Sequence, residues 1–342
     1  LGNLLNHYDN TFFSPYSFNN HFGVPLSICN MRSNHNYGVF EIGMNKPGEI
    51  FKLSSLVKPH FGVITNISEA HLENFKNIEG IAKAKSEIIY NIQKGGTVIL
   101  NRDDKFFNYF KNIAKKNKIL VKSFGYSKKS NIKFIHLKKI KKYFLLKVLV
   151  DSEYISFKIN NNNNSHVMNI LCCLAVLKEL SLNLNKIKNI FKDQVSLSGR
   201  GKIYKINKFK KNFFLIDESY NANPSSVKSA IENFSKIEKK SKRKYFLFGD
   251  MLELGKNSHI YHKKISKFIN KSDIDETYVY GSKAAETFKL LKSYKRGEIV
   301  QDLEIFRKKI TKKLRKGDFL MIKGSNGTNL HKISKNFLGR RF

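Results

Sequence analysis

Phe213-Phe214-Leu215-Ile216-Asp217-Glu218-Ser219-Tyr220-Asn221-Ala222-Asn223-Pro224-Ser225-Ser226 joins an apolar run to a polar tract and a helix start. Its first four residues form an apolar run of strand length, and Val227 to Phe234 continues with helical periodicity. Between them Asn223 suits an N-cap, Pro224 suits the first helical position, and Ser225 and Ser226 add donors. A strand, a polar loop and a helix are therefore specified locally. In an open α/β sheet ligands bind at the carboxyl ends of the strands. Here that end carries two carboxylates, two Asn amides and a phenol, more polar chemistry than a plain connection needs, although turns also favour Asn, Asp, Pro and Ser.

Working outward, the same alternation restarts at Tyr245 to Phe248, Thr277 to Tyr280 and Phe319 to Ile322, which predicts a doubly wound, Rossmann-like C-terminal domain. Upstream, Tyr37 to Ile42, Phe61 to Ile67 and Thr97 to Leu100 are short apolar runs separated by helical patterns, as in a parallel sheet covered on both faces. From Asn131 to Ile159 the pattern is that of antiparallel hairpins, and Asn160 to Asn164 is a polar loop. Helices are predicted from about His166 to Leu180 and through Lys186 to Phe191. Ser198-Gly199-Arg200-Gly201 is the expected boundary, giving domains 1–198 and 199–342. The fold class is α/β.

At 342 residues with 41% hydrophobic content the chain is long enough for two proper cores. No Met stands at position 1, no charged-then-apolar leader opens the chain, and no apolar run approaches the length of a membrane span. Cys29, Cys172 and Cys173 are too few and wrongly spaced for a disulfide framework or a zinc site. A cytoplasmic location without stable membrane insertion is expected. The net charge of +36 would by itself suggest nucleic acid or an anionic surface, and Lys105 to Lys142 is dense in lysine with Phe and Tyr between. Yet the basic residues run the whole length and no helix-turn-helix, zinc or RNA-binding signature accompanies them. The pattern is that of lysine filling solvated faces, with attraction of anionic substrates as a milder use and no nucleic-acid partner expected.

Three residues suggest a metal centre. Glu41 lies within the apolar run Val39 to Ile42, where an unpaired carboxylate would be costly, so a cation or donor partner is expected; a satisfied structural carboxylate is the alternative. His71 follows the strand at Phe61 to Ile67 in the next loop, where a lone His is more often a surface residue than a ligand. Lys85 falls inside the helical apolar stripe Ile78, Ile81, Ala82, Ile88, Ile89 and Ile92. A lysine there either snorkels to the edge or has had its charge changed.

The tract Asp217 to Pro224 resembles the nucleotide-contacting signature of the Mur ligases, in the form carried by their D-alanyl-D-alanine-adding branch. Further matches follow in the family's order along nearly the whole chain: Asn19-Asn20-His21-Phe22-Gly23-Val24-Pro25-Leu26, Phe40-Glu41-Ile42-Gly43-Met44-Asn45-Lys46-Pro47-Gly48-Glu49-Ile50, Asn66 through Ala70-His71-Leu72-Glu73, Ile81-Ala82-Lys83-Ala84-Lys85-Ser86-Glu87-Ile88, Gly249-Asp250-Met251-Leu252-Glu253-Leu254-Gly255 and Lys323-Gly324-Ser325. One match would be weak; six in register are specific. The resemblance implies a central parallel-sheet ATPase domain followed by the C-terminal domain. It implies ATP and Mg²⁺ as cofactors, with UDP-N-acetylmuramoyl-tripeptide and D-alanyl-D-alanine as substrates of a monomeric enzyme that activates a carboxylate as an acyl phosphate and forms an amide. Glu41, His71 and a carbamylated Lys85 are implied around magnesium, and Asn169, Arg200, Glu218, Tyr220, Asn221 and Asn223 around the nucleotide. Asn19, Asn20, Asp250, Glu253, Lys323 and Ser325 are implied on the substrate side, with closure of the domains gating the reaction.

The sequence also departs from the family's pattern. No Gly-Lys-Ser or Gly-Lys-Thr phosphate loop occurs, and Gly199-Arg200-Gly201-Lys202-Ile203 is a decoy without a preceding strand or a hydroxyl. Because the family's loop lies shortly before the position of Leu1, the sequence is expected to be truncated, lacking the uridine-gripping domain too. His166 stands where Asn is usual, Glu218 replaces the second Asp of the signature, and Asn326 follows Lys323-Gly324-Ser325 where Arg is common. The alternatives are the diaminopimelate- or lysine-adding ligase, folylpolyglutamate synthase, a nucleotide-binding module without catalysis, and a basic nucleic-acid-binding protein.

Overall fold

The computed structural model describes residues 1–69, 72–193, 198–208, 211–238 and 242–339. The chain divides into two compact units, the first comprising Leu1–Ile67 and Asn74–Gln194, the second Ser68–Glu73 and Val195–Phe342. Unit 1 runs α1 (Gly2–Leu5), β1 (Thr11–Phe13), α2 (Gly23–Asn30), β2 (Tyr37–Val39), α3 (Glu49–Val57), β3 (Phe61–Ile64), α4 (Ile78–Ser86), β4 (Thr97–Asn101), α5 (Phe107–Lys116), β5 (Leu120–Gly125), β6 (Ile132–Ile140), β7 (Tyr143–Val150), β8 (Glu153–Ile159) and α6 (Asn164–Glu179). Its six-stranded sheet has the order β3-β4-β5-β6-β7-β8, parallel through β6 and antiparallel beyond. A separate parallel pair joins β1 to β2.

Both faces of this sheet are covered, which is why β4 is apolar and buried from Thr97 to Leu100 with no alternation. On one face α6 packs Val167, Ile170, Leu171, Leu174 and Leu177 against Ile99, Phe124, Leu146, Val148 and Phe157. Tyr37 and Val39 of β2 join that same cluster, so the small sheet shares the core of the large one. On the other face Ala82 of α4 and Phe107, Phe110 and Ala114 of α5 meet Ile64, Val98 and Leu100.

Unit 2 runs β9 (Lys202–Lys208), β10 (Lys211–Glu218), α7 (Pro224–Ser235), β11 (Lys244–Gly249), α8 (Ser258–Lys271), β12 (Glu276–Tyr280), α9 (Ala284–Lys289), β13 (Arg296–Val300), α10 (Leu303–Lys313), β14 (Phe319–Lys323) and α11 (Leu330–Leu338). Its strand order is β13-β12-β11-β14-β10-β9, parallel except for the edge strand β9. The sheet buries Phe246, Phe248 and Met321 against α7 and α8, and Phe213, Leu215, Leu247, Leu320 and Ile322 against α10 and α11. Lys244 opens the central strand fully buried, where its ammonium donates to the Phe234 and Ile237 carbonyls at 2.8 and 2.7 Å and to Asp273 at 2.6 Å. The cation thus closes the C-terminus of α7, the end of a helix that attracts positive charge.

Several elements differ from the sequence expectation. The strand expected over Tyr37 to Ile42 stops at Val39, because β1 offers only three pairing residues. The strand expected over Phe61 to Ile67 stops at Ile64; beyond it the Ile67 amide donates to the Asp104 carboxylate at 2.7 Å instead of to a strand. Lys186 to Phe191 is not one helix but two short 3₁₀ turns, Leu184–Ile187 and Ile190–Lys192. The strands β1, β5, β9 and β13 were not expected from the sequence. β9 and β13 lie at sheet edges, where charged residues interrupt the apolar ones and leave neither a continuous apolar run nor a regular alternation.

At the start of α7, Asn223 accepts from the Ser226 amide at 2.8 Å and the Ser226 hydroxyl accepts from the Asn223 amide at 3.0 Å, a reciprocal capping box with Pro224 in the first turn. Replacing Asn223 by Ala should lower the unfolding free energy of unit 2 by about 1 kcal/mol. Replacement by Asp should cost much less; urea unfolding of the two variants measures the difference.

Candidate active site

The polar residues singled out in the sequence gather at the carboxyl ends of β10, β11 and β14, where register places Glu218 beside Lys323 and Lys323 beside Phe248. Asp217, one residue earlier, is 3% exposed and organises this end of the sheet. Its Oδ2 accepts from the Gly199 amide at 2.9 Å and the Ser198 hydroxyl at 3.3 Å, while its Oδ1 accepts from the Ser219 hydroxyl at 2.6 Å and amide at 3.3 Å. The Ser198 to Gly201 turn is thereby fastened to the loop after β10. Gly199 has φ of +76°, and a Cβ there would come within 2.8 Å of the Tyr220 Cβ, so the turn needs glycine.

From this base Arg200 lays its guanidinium over the Tyr220 ring, 4.3 Å from the centroid, and Tyr220 remains 39% exposed. Lys323 is 2% exposed; its ammonium donates to the Asn221 carbonyl at 3.1 Å and lies 3.4 Å from Glu218. Burial pulls the Lys323 ammonium below the usual lysine range, an effect that the Glu218 carboxylate opposes. Ser325 donates to the Ala222 carbonyl at 3.1 Å and accepts from the Leu252 amide at 2.9 Å, joining the loops after β10 and β11. A flat cationic and aromatic surface, a carboxylate and a buried ammonium in one place suit a nucleoside with a charged tail.

Other expected site residues are occupied with structure. Asn223 caps α7, and the Asn221 carboxamide oxygen accepts from the Ala222 amide at 2.7 Å. The Asp250 carboxylate accepts from the Ala284 amide at 2.7 Å, and Gly281, at φ of +109°, leaves room for that carboxylate where a Cβ would collide. Glu253 is exposed with φ of +62°, and its carbonyl accepts from the Glu73 amide at 3.0 Å.

In unit 1, Glu41 is not the buried strand carboxylate that the apolar run suggested. The strand ends before it, so the side chain is exposed and no burial cost demands a cation. It does have a donor: the Asn19 amide reaches its Oε1 at 2.8 Å, uniting two residues that the sequence left apart. Asn20 accepts from the Phe22 and Gly23 amides at 3.1 and 2.9 Å and so starts α2. Lys85 on α4 is partly buried, and loss of hydration holds its ammonium below the usual lysine range while the charge of Asp104 works the other way. Asn169 is exposed on α6, and the nearby His166 has a buried Nε2 without a partner among the described residues. His71 lies outside the described residues. Among the described residues no three His, Cys, Asp or Glu side chains converge as a cage for a cation. Mg²⁺ keeps waters and substrate phosphates in its shell and does not require such a cage; the exposed Glu41 carboxylate is the kind of oxygen donor it takes.

The sequence reading missed Asp217 and Asp104 as organisers. For Asp217 the signal was present: Asp followed by Ser two residues on, at a strand end, is the pattern of a side chain that folds back onto backbone amides.

Residues 2–177 match the Mur ligase middle domain and residues 204–326 match the Mur ligase glutamate ligase domain. The chain belongs to the Mur ligase family. It is 31% identical over 331 residues to the UDP-N-acetylmuramoyl-tripeptide–D-alanyl-D-alanine ligase of Rickettsia prowazekii, covering 96% of this chain and 72% of that protein. The ligase of the same name from Buchnera aphidicola is 31% identical over 353 residues, with 98% and 72% covered. Among solved family structures, MurF from Acinetobacter baumannii superposes with a TM-score of 0.87 at 24% identity, covering 99% of this chain and 73% of that one. MurF from Thermotoga maritima, solved in complex with ADP, gives 0.82 at 22% identity, with 98% and 74% covered. These structures share the fold described above.

Because Asp217 holds two loops by charge-assisted bonds, Asp217→Ala should lower the stability of unit 2 by on the order of 2 kcal/mol. It should also free the Arg200 and Tyr220 pair, seen as faster amide exchange at Gly199 and Ser219.

Proposed function

We propose that this chain forms the ATP-handling and C-terminal domains, residues 1–198 and 199–342, of an ATP-dependent ligase that joins D-alanyl-D-alanine to UDP-N-acetylmuramoyl-tripeptide in peptidoglycan precursor synthesis. The observation that carries the reading is the match to both Mur ligase domains together with 31% identity to ligases of that name. The polar cluster at the carboxyl ends of β10 and β14 supports it. No described helix is long and apolar enough to cross a membrane. We place the enzyme in the cytoplasm as a monomer without a nucleic-acid partner.

In this reading ATP phosphorylates the terminal carboxylate of the tripeptide, the dipeptide amine attacks the acyl phosphate, and phosphate leaves as the amide forms. Catalysis of this kind rests on positioning and on charge placed where the phosphoryl group and the tetrahedral intermediate need it. In unit 2, Arg200 and Tyr220 would carry the adenosine end, with Asn221 and Asn223 holding the loop, and Glu218 would take the ribose hydroxyls; in unit 1, Asn169 is the residue proposed for the nucleotide. Lys323, cationic and desolvated, would hold developing negative charge, and Ser325 keeps its turn in place. Asn19, Asn20, Asp250 and Glu253 are placed on the substrate side. Magnesium, when bound, would neutralise phosphate charge, with Glu41, His71 and Lys85 to hold it.

For Lys85 to serve as a ligand it must exchange its positive charge for a negative one. Its neutral amine can add to carbon dioxide, forming a carbamate and releasing one proton. Burial lowers the ammonium's pKa, so more neutral amine exists at a given pH than in a free lysine. In the active ligase, Lys85→Ala should cut turnover by on the order of 10²-fold, with partial recovery on adding short carboxylates. Wild-type activity at limiting bicarbonate should rise with pH through the alkaline range. Full turnover by Lys85→Ala would defeat the assignment. Phosphate release that requires D-alanyl-D-alanine tests the reaction itself, and preference for a single amino acid would move the enzyme to a neighbouring ligase.

A further inference from the structure

His262 lies on α8, fully buried, beneath the loop that follows β11. Both ring nitrogens are engaged: Nε2 with the Met251 amide at 2.9 Å and Nδ1 with the Ser258 carbonyl at 2.8 Å. A carbonyl has no proton to give and an amide has only a proton to give, so Nδ1 is the donor and Nε2 the acceptor. One neutral tautomer satisfies both partners. A second proton, on Nε2, would face the Met251 N–H and break that bond.

The loop is fastened elsewhere at single points. The Ser325 amide donates to the Asp250 carbonyl at 3.0 Å, the Ser325 hydroxyl accepts from the Leu252 amide at 2.9 Å, and the Glu253 carbonyl accepts from the Glu73 amide at 3.0 Å. The Met251 amide is held by an ionisable side chain. Met251 is itself fully buried in the core of unit 2, so its amide cannot turn to water if His262 lets go. Around the imidazole, Phe248 stacks obliquely at 6.0 Å and the Thr287 hydroxyl donates to the His262 carbonyl at 2.7 Å. The charged groups that act on it are Asp250, which favours the protonated ring, and Lys283, which opposes it.

We propose that His262 is the positioning residue of the Asp250 to Gly255 loop: in its neutral, Nδ1-protonated form it fixes the backbone that presents Asp250 and Glu253 to the incoming amine substrate, and protonation releases that loop. The proposal rests on the reading above that this loop receives the dipeptide. Burial holds the ring's pKa below the usual His value, in agreement with the geometry. The sign follows: the bond is intact above about pH 6.5 and is lost as pH falls through the lowered value of the folded protein.

Two variants separate packing from hydrogen bonding. His262→Gln retains an acceptor and a donor on one side chain, whereas His262→Phe fills the space and offers neither. In the active ligase, H262F should raise KM for D-alanyl-D-alanine roughly 10-fold with little change in KM for ATP, the scale of one orphaned buried amide. H262Q should stay within about 3-fold of wild type. Wild-type KM for the dipeptide should rise as pH falls through the lowered His262 value, below the ordinary histidine range, and that rise should vanish in H262Q. In the 342-residue chain the Met251 amide resonance should follow the titration of His262 and become insensitive to pH in H262Q. A Met251 amide unchanged by titration overturns the proposal whatever the kinetics. So does an unchanged dipeptide KM in H262F when the amide has moved. A ligase whose turnover ignores the dipeptide altogether, with the Met251 resonance behaving as expected, sinks instead the functional reading on which the proposal stands. If H262F does not fold, the wild-type and H262Q titrations decide alone.

Discussion

A carboxylate buried at a strand end must find its hydrogen-bond donors within the protein, and at Asp217 that requirement shapes the whole candidate site of unit 2. Four donors from Ser198, Gly199 and Ser219 converge on it. Leaving such a charge unsatisfied would cost several kcal/mol, so the chain on both sides is pinned where it can supply them. The position of Arg200 over Tyr220, the left-handed turn at Gly199 and the direction of the chain into β9 all follow from that convergence. The residues that would touch a nucleotide are thus placed by one that would not.

The same economy recurs in the neighbouring loops. Ser325 bonds to both the Ala222 and the Leu252 backbone, and Lys323 spends its ammonium on the Asn221 carbonyl as well as on Glu218. Three chain segments that are remote in sequence become one rigid rim. A rigid rim suits chemistry that works by positioning, because donors fixed in advance need not reorganise as charge develops. It also explains why several residues expected to contact ligand are found holding backbone. Asn223 and the Asp250 carboxylate are committed to helix starts, and what each offers a substrate is a placed backbone or a remaining lone pair rather than a free side chain.

Part of the chain's positive charge has a structural use. Lysines line helix ends, where they complement the dipole, and Lys244, Lys295 and Lys323 are buried with their ammonium groups donating to backbone carbonyls. These are structural uses that a count of charges cannot distinguish from a binding surface.

The sequence alone determined what local chemistry enforces. Asn223-Pro224 starting α7, the apolar runs of β4, β10, β11, β12 and β14, the antiparallel turn of the sheet after Asn131, and the buried helix ending near Leu180 are all written in periodicity and caps that involve only near neighbours. The family too was legible, because its motifs are short and stand in order. Other features depend on partners that are distant along the chain. Strands β9 and β13 exist because a sheet edge accepts them, and β2 stops at Val39 because β1 is short. Glu41 is exposed and meets Asn19 across 22 positions, while Asp217 reaches back 18 residues to Gly199. His262 shows its role only when Met251 arrives above it. A side chain's burial and its partner are properties of the assembled chain, since hydrogen bonds and desolvation act through space and the sequence records only order.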